Sequence, residues 1–296
     1  MAEADGAPTP PGVLMKRGCV TVGVSLALLF GSSVALGLQF YAGLALGIQL
    51  AVYLFHGLPF KSERFYDLSG SATHFAVVSA ALMRHGSARS ARQTLASLAA
   101  VLWMTRLGSF LFLRIERDGR DERFDRIKLH WLAFFGAWCI QALWVVLVEA
   151  PILLLNEAED SMPLSLFDVV CLGAWLAGFG LEAVSDAEKF VFRCDEKNRG
   201  KFITTGLWAF SRHPNYFGEM TMWAALAALC AQSTQRYGAL VSPLFTAFLL
   251  LKGSGVPLVE RAGLKKWGGD PKYLHYMAQT SCIIPMRPAP MQPKSS

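Results

Sequence analysis

The residues best equipped for chemistry lie in one stretch, Gly206-Leu-Trp-Ala-Phe-Ser-Arg-His-Pro-Asn-Tyr-Phe-Gly-Glu219, where rings, donors and charges crowd an otherwise apolar chain. Pro214 suits the first turn of a helix, where its missing N–H costs nothing, and Ser211 or His213 is placed to cap that turn. On the helix that follows, Asn215 and Glu219 are four residues apart and share a face, with Tyr216 beside them. Arg212 and His213 stand at its N-terminal end, where free backbone N–H groups favour an anion. Arg, Trp and Tyr also collect in membrane–water interface loops, so the rings alone do not define a site. Arg-His-Pro-Asn-Tyr combined with Glu219 is harder to assign to an interface.

A second polar set precedes the first. Glu182, Asp186, Lys189 and Arg193 follow one another at steps of four, three and four, which is one face of a helix. The bland reading pairs Asp186 with Lys189 and stops there. Yet Glu182 and Asp186 close an apolar block, and a charge at the bilayer centre costs about 2.5–3.5 kcal/mol, so such residues face a cavity, a partner or a ligand. The third set is the tail, with Glu260, Arg261, Lys265, Lys266, Trp267, Tyr273 and Tyr276. Together the sets offer Arg and Lys for phosphate or carboxylate, Asn and Glu for an amide or ribose, and rings for stacking. That inventory suits an anionic, aromatic cofactor reaching a membrane cavity from the aqueous side, with a lipidic substrate entering from the bilayer.

Other chemistries lack support. Gly178-Phe-Gly-Leu-Glu-Ala183 matches G-x-G-x-x-A, but it lies inside an apolar block rather than between a strand and a helix, and small residues there suit a helix contact. No Walker loop, H-E-x-x-H or G-x-S-x-G occurs. The six cysteines, Cys19, Cys139, Cys171, Cys194, Cys230 and Cys282, are scattered without a C-x-x-C pair, so neither a disulfide framework nor a metal site is expected.

The elements that carry these sets are membrane spans. Of 296 residues 53% are hydrophobic and 17% charged, where a soluble domain carries about 25% charged residues. The mean hydropathy is +0.35. The apolar residues fall in blocks near the ~20 residues that cross a bilayer. They predict spans near 19–37, 38–58, 72–83, 93–113, 130–155, 164–184, 214–231 and 239–255, a multi-pass, all-α bundle of seven to nine spans. Residues 1–15 are polar and Pro-containing, unlike a cleavable signal peptide, and read as a disordered tail. The helical domain follows over 16–286, and 287–296 form a Pro-rich tail. The segment 114–128 alternates acids and bases and reads as a solvated, salt-bridged loop. A cytoplasmic N-terminus puts most of the charge in cytoplasmic loops, with the three arginines of 84–92 as the exception. The net charge of +6 is spread along the span ends with no long basic run, so a nucleic-acid partner is not expected.

At these residues the chain resembles the steroid 5-alpha-reductase-like superfamily, and most closely a multi-span family within it of unassigned function. The resemblance covers about residues 57–286. It rests on Lys61-Ser-Glu-Arg-Phe-Tyr-Asp67, Asp121-Glu-Arg-Phe124, Ser185-Asp186 through Arg193, Gly206 through Glu219, Ser254-Gly-Val-Pro-Leu-Val-Glu-Arg261, and Lys266-Trp-Gly through Ile284-Pro285. Arg-His-Pro-Asn-Tyr is shared with isoprenylcysteine and phospholipid methyltransferases. The superfamily's reductases bind NADPH without a Rossmann domain. The resemblance implies that Asp186, Arg193, Asn215 and Glu219 match cofactor-binding positions, that Glu182 stands where the reductases have Asn, and that Glu260 lies near a histidine they use. Arg212, His213, Tyr216 and Tyr276 complete the implied cofactor set, with 164–286 as the cofactor-binding half.

The substrate half departs from the reductases. Where they rely on a carboxylate and a tyrosine, the fourth span reads Arg106-Leu-Gly-Ser-Phe-Leu-Phe112, without tyrosine. Glu63, Tyr66 and Asp67 are candidate acids nearby, and no proton donor is assigned. The expectation is an NADPH-dependent membrane oxidoreductase that reduces a carbon–carbon double bond of a lipid or steroid-like substrate, in the endoplasmic reticulum by family resemblance. The alternatives are an S-adenosylmethionine-dependent membrane methyltransferase and a non-catalytic lipid-binding protein of the same fold.

Overall fold

A computed structural model describes residues 10–84, 89–121, 123–159 and 163–287. Residues 1–9 and 288–296 of the expected tails lie outside the described residues, as do 85–88 in the arginine-bearing connection, Glu122 and Asp160. The helices are α1 (Pro11–Leu36), α2 (Gln39–Val52), α3 (Leu58–Phe60), α4 (Tyr66–Met83), α5 (Ala91–Asp118), α6 (Trp131–Val148), α7 (Ala150–Asn156), α8 (Leu166–Cys194), α9 (Pro214–Thr234), α10 (Val241–Leu251), α11 (Val256–Trp267) and α12 (Pro271–Gln279). No strand occurs among the described residues, which makes the chain an all-helical, multi-pass membrane bundle.

Six helical stretches among the described residues are long and apolar enough to cross a membrane: 11–36, 39–60, 91–117, 131–148, 166–194 and 237–267. This falls below the seven to nine spans expected. The shortfall has a physical origin in α4 and α9. The first carries Asp67, Ser69, Ser71, Thr73 and His74, and the second Asn215, Glu219, Gln232 and Ser233, so their hydropathy is diluted. The expected tail over 1–15 is also shorter. Pro11 opens α1 at a position where its fixed φ suits the first turn, so residues 11–15 are helical. At the other end of α1, Gly37 adopts φ 74, the left-handed conformation that ends a helix, and Gln39 starts α2 at once. The helical face expected from Glu182 to Arg193 is present, since α8 runs unbroken past the apolar block to Cys194, and its start is fixed by a capping box between Ser165 and Asp168.

The chain divides into two compact units, residues 1–163 with 233–239, and residues 164–232 with 240–296. In the first, α6 is the central helix, 72% buried, with α1, α2 and α4 against it. Gly18 of α1 sits so close to the Ala133 backbone that a Cβ would lie 2.7 Å from its nitrogen, so the α1–α6 contact requires glycine. The segment 114–128 is salt-bridged as expected: Arg64 meets Glu116 at 2.8 Å, and Lys128 meets Asp125 at 3.0 Å and the buried Glu63 at 3.2 Å.

In the second unit α8 crosses α9 at two glycines. A Cβ on Gly178 would lie 2.7 Å from the Gly218 carbonyl oxygen, and one on Gly218 would lie 2.9 Å from the Glu182 nitrogen. Gly178 therefore serves a helix contact, as its apolar setting suggests, whereas Gly180 has open space around it.

Candidate functional site

The close α8–α9 crossing puts the acidic face of α8 beside the start of α9. Glu182 is 3% exposed there, and one turn on, Asn215 Nδ2 donates to Asp186 Oδ1 at 3.1 Å. Glu219 follows one turn after Asn215 on α9. The next turn of α8 holds the segment between the two helices. Glu188 accepts from the Leu207 N–H at 2.9 Å, and Gly206, at φ 61, leaves room for that carboxylate where no side chain would fit. Trp208 donates from Nε1 to the Ser185 carbonyl at 2.9 Å, and Lys189 Nζ lies 4.2 Å from its ring centroid.

Pro214 opens α9 as expected, with Ser211 accepting from the His213 N–H at 3.1 Å. The C-terminal segment is fastened to the same place. The Arg212 N–H donates to Ser281 O at 2.8 Å, Ser211 Oγ donates to Ile283 O at 2.7 Å, and Met286 N–H donates to Phe210 O at 3.0 Å. Arg212 also donates to the Met277 carbonyl. The anion drawn to this end of α9 is the chain's own Glu260: its Oε1 lies 3.0 Å from Arg212 and 3.2 Å from His213 Nε2. His213 stacks on Tyr216 at 5.1 Å and 5°.

These contacts wall a cavity of about 380 Å³ within the second unit. Lys189 and Arg193 of α8, Lys201, Arg212 and Lys266 place five cations around it, against one carboxylate, Glu260. Its rings include Phe202, Trp208, Trp267, Tyr273 and Tyr276; Phe202 lies 4.9 Å from Tyr273 and 5.7 Å from Trp267. Tyr276 donates to the Trp208 carbonyl at 2.8 Å, and Trp267 to the Gly200 carbonyl at 2.6 Å. A neighbouring cavity of about 630 Å³ shares Lys201, Phe202, Trp267 and Tyr276 with the first. Burial lowers the pKa of His213 from its ordinary 6.5, more than Glu260 raises it, so its imidazole is neutral at pH 7. Burial also raises the Tyr273 and Tyr276 hydroxyls, which stay protonated donors.

Of the residues singled out from the sequence, Lys189, Arg193, Arg212, His213, Glu260, Lys266, Trp267, Tyr273 and Tyr276 line the cavity. Tyr216 backs His213, while Glu182, Asp186, Asn215 and Glu219 belong to the α8–α9 crossing beside it. Lys201, Phe202 and Trp208 are lining residues that sequence reasoning did not select. Lys201 and Phe202 sit in a short connection with no periodic pattern, whereas Trp208 was visible within the opening motif. Cys282 is a further neighbour, its Sγ 3.8 Å from Glu260 Oε1. His213, Glu260 and Cys282 stand close enough to share a cation, yet the oxygen they converge on already meets the Arg212 guanidinium. The trio is an ion-paired hub.

A multi-pass helical membrane protein with a cation-rich, ring-lined cavity is the class that fold and site define. Residues 55–280 match the family described as protein of unknown function (DUF1295), and the chain belongs to it. That family is membrane-associated and related to steroid 5-alpha-reductase-like proteins. No curated protein and no solved structure matches the chain.

Proposed function

We propose that the chain is an NADPH-dependent membrane reductase acting on a carbon–carbon double bond of a lipid or steroid-like substrate. The observation that carries this reading is the charge of the cavity, five cations to one carboxylate with aromatic walls. Arg193, Lys201 and Lys266 would hold phosphates, Phe202, Trp208 and Trp267 would pack against planar rings, and Asn215 with Glu219 would meet the nicotinamide end. Two adjoining cavities suit a ligand made of two nucleotides. NADPH supplies a hydride when bound. The protein would supply orientation, through cations on α8, α11 and the connection between α8 and α9, and exclusion of water, through the rings.

The methyltransferase alternative rests on the shared Arg-His-Pro-Asn-Tyr, and the same charge count weighs against it. S-adenosylmethionine carries a sulfonium cation, which five cations repel, whereas NADPH carries several phosphate charges. The endoplasmic reticulum stays a proposal from the resemblance.

Trp208 and Trp267 make binding visible. Titrating NADPH into the detergent-solubilised protein should quench tryptophan emission, and Arg193→Ala should weaken the response at least tenfold, about 1.4 kcal/mol of lost binding. An unchanged response in Arg193→Ala would place the ligand elsewhere.

A further inference from the structure

His74 and Glu149 form a buried pair that the cofactor reading does not use. His74 lies within α4 and Glu149 at the junction of α6 and α7, both in the first unit. Their side chains are 1% and 0% exposed, and His74 Nδ1 lies 2.9 Å from Glu149 Oε1. The other two polar atoms, His74 Nε2 and Glu149 Oε2, are buried with no hydrogen-bond partner. Rings close the space around them: Trp103 and Trp144 meet the imidazole edge-to-face at 5.5 and 4.6 Å.

For stability alone this pair is a poor solution. Two buried charges cost more than one contact returns, and apolar residues of similar volume often do as well or better. Leaving Nε2 and Oε2 unpaired adds the desolvation of each. The polar groups next to it are treated differently, since Gln49 donates to Thr73 at 2.8 Å and accepts from Ser69 at 3.1 Å.

Counting protons shows what the pair can do. Neutral imidazole beside a carboxylate carries a net charge of −1. One added proton makes the pair neutral overall, whether it sits on nitrogen or on oxygen. An apolar interior favours that neutral sum. The helices against α4 bring no further charge to this layer. None of α2, α6 and α7 contains Asp, Glu, Lys, Arg or His, α5 has none between Arg92 and Arg106, and the nearest on α4 are Asp67 and Arg84 at its ends. The titratable groups that remain on α2 and α6, Tyr41 and Cys139, belong to types that are mainly neutral near pH 7.

We infer that His74 and Glu149 are a proton-binding site, an acid–base pair holding one exchangeable proton inside the first unit. The inference stands apart from the reductase reading, because the exchange is measured without cofactor or substrate.

The test is an infrared pH titration of the purified protein in H2O and D2O, over the range where imidazole and carboxyl groups titrate, about pH 3 to 9. The expected result is a carboxyl or imidazole band that changes with pH, shifts on deuteration, and is lost in both Glu149→Gln and His74→Gln. The double change His74→Phe with Glu149→Leu leaves no orphaned charge, so it should fold with an unchanged melting temperature and lack the band. Identical titrations in wild type and double variant would overturn the inference. So would a double variant that cannot fold, since the pair would then be structural.

Discussion

Glu260 gathers the site's polar groups. It neutralises Arg212 and accepts from His213, whose imidazole burial keeps neutral. The sign for stability follows from that lowered pKa. The unfolded chain takes up the His213 proton first as pH falls through about 6.5, so stability is full above that value and declines below it, until the folded form is protonated as well. One such proton gives a slope approaching about 1.4 kcal/mol per pH unit. Chemical denaturation between pH 7 and 5 should show it, and His213→Asn should flatten it by one proton. A second expectation concerns Asn215, which ties α9 to Asp186. Asn215→Ala should abolish NADPH-induced stabilisation while expression persists. Full stabilisation in that variant would remove Asn215 from the site. His213 and Glu260 could be singled out from the sequence, but their contact joins residues 47 positions apart, and no local spacing predicts it.

The α8–α9 crossing is the element that gives the site its shape. Gly178 and Gly218 let the two backbones meet, and any side chain there must push them apart. Gly178→Val should cost roughly 1–3 kcal/mol through overpacking, read as a lower melting temperature, and should weaken NADPH binding as well. Gly180→Ala, with open space around it, should leave both unchanged. The spans and the α8 stripe were legible because they rest on local patterns, apolar blocks and steps of three and four. The span count was not, because α4 and α9 mix polar residues into membrane-length helices, and hydropathy alone does not say where such a helix sits. The α6–α7 junction shows the same limit. Pro151 is visible in the sequence, but the pairing of Glu149 with His74 depends on how four helices pack.

At the scale of the molecule, family membership and the membrane-spanning helices set the class, and the charge of one cavity points to the ligand. Phosphate held by exposed cations is screened by salt, so NADPH affinity should fall as ionic strength rises from about 0.01 to 0.15 M. S-adenosylmethionine, with its sulfonium charge, should show no such loss.

The most direct test of the central claim compares thermal unfolding of the detergent-purified protein with NADPH, NADH and S-adenosylmethionine. NADPH at 100 times its dissociation constant should stabilise by ~2.7 kcal/mol, with S-adenosylmethionine giving no shift. Stabilisation by S-adenosylmethionine alone would contradict the account in favour of a methyltransferase. No response to any of the three would contradict it in favour of a lipid-binding protein.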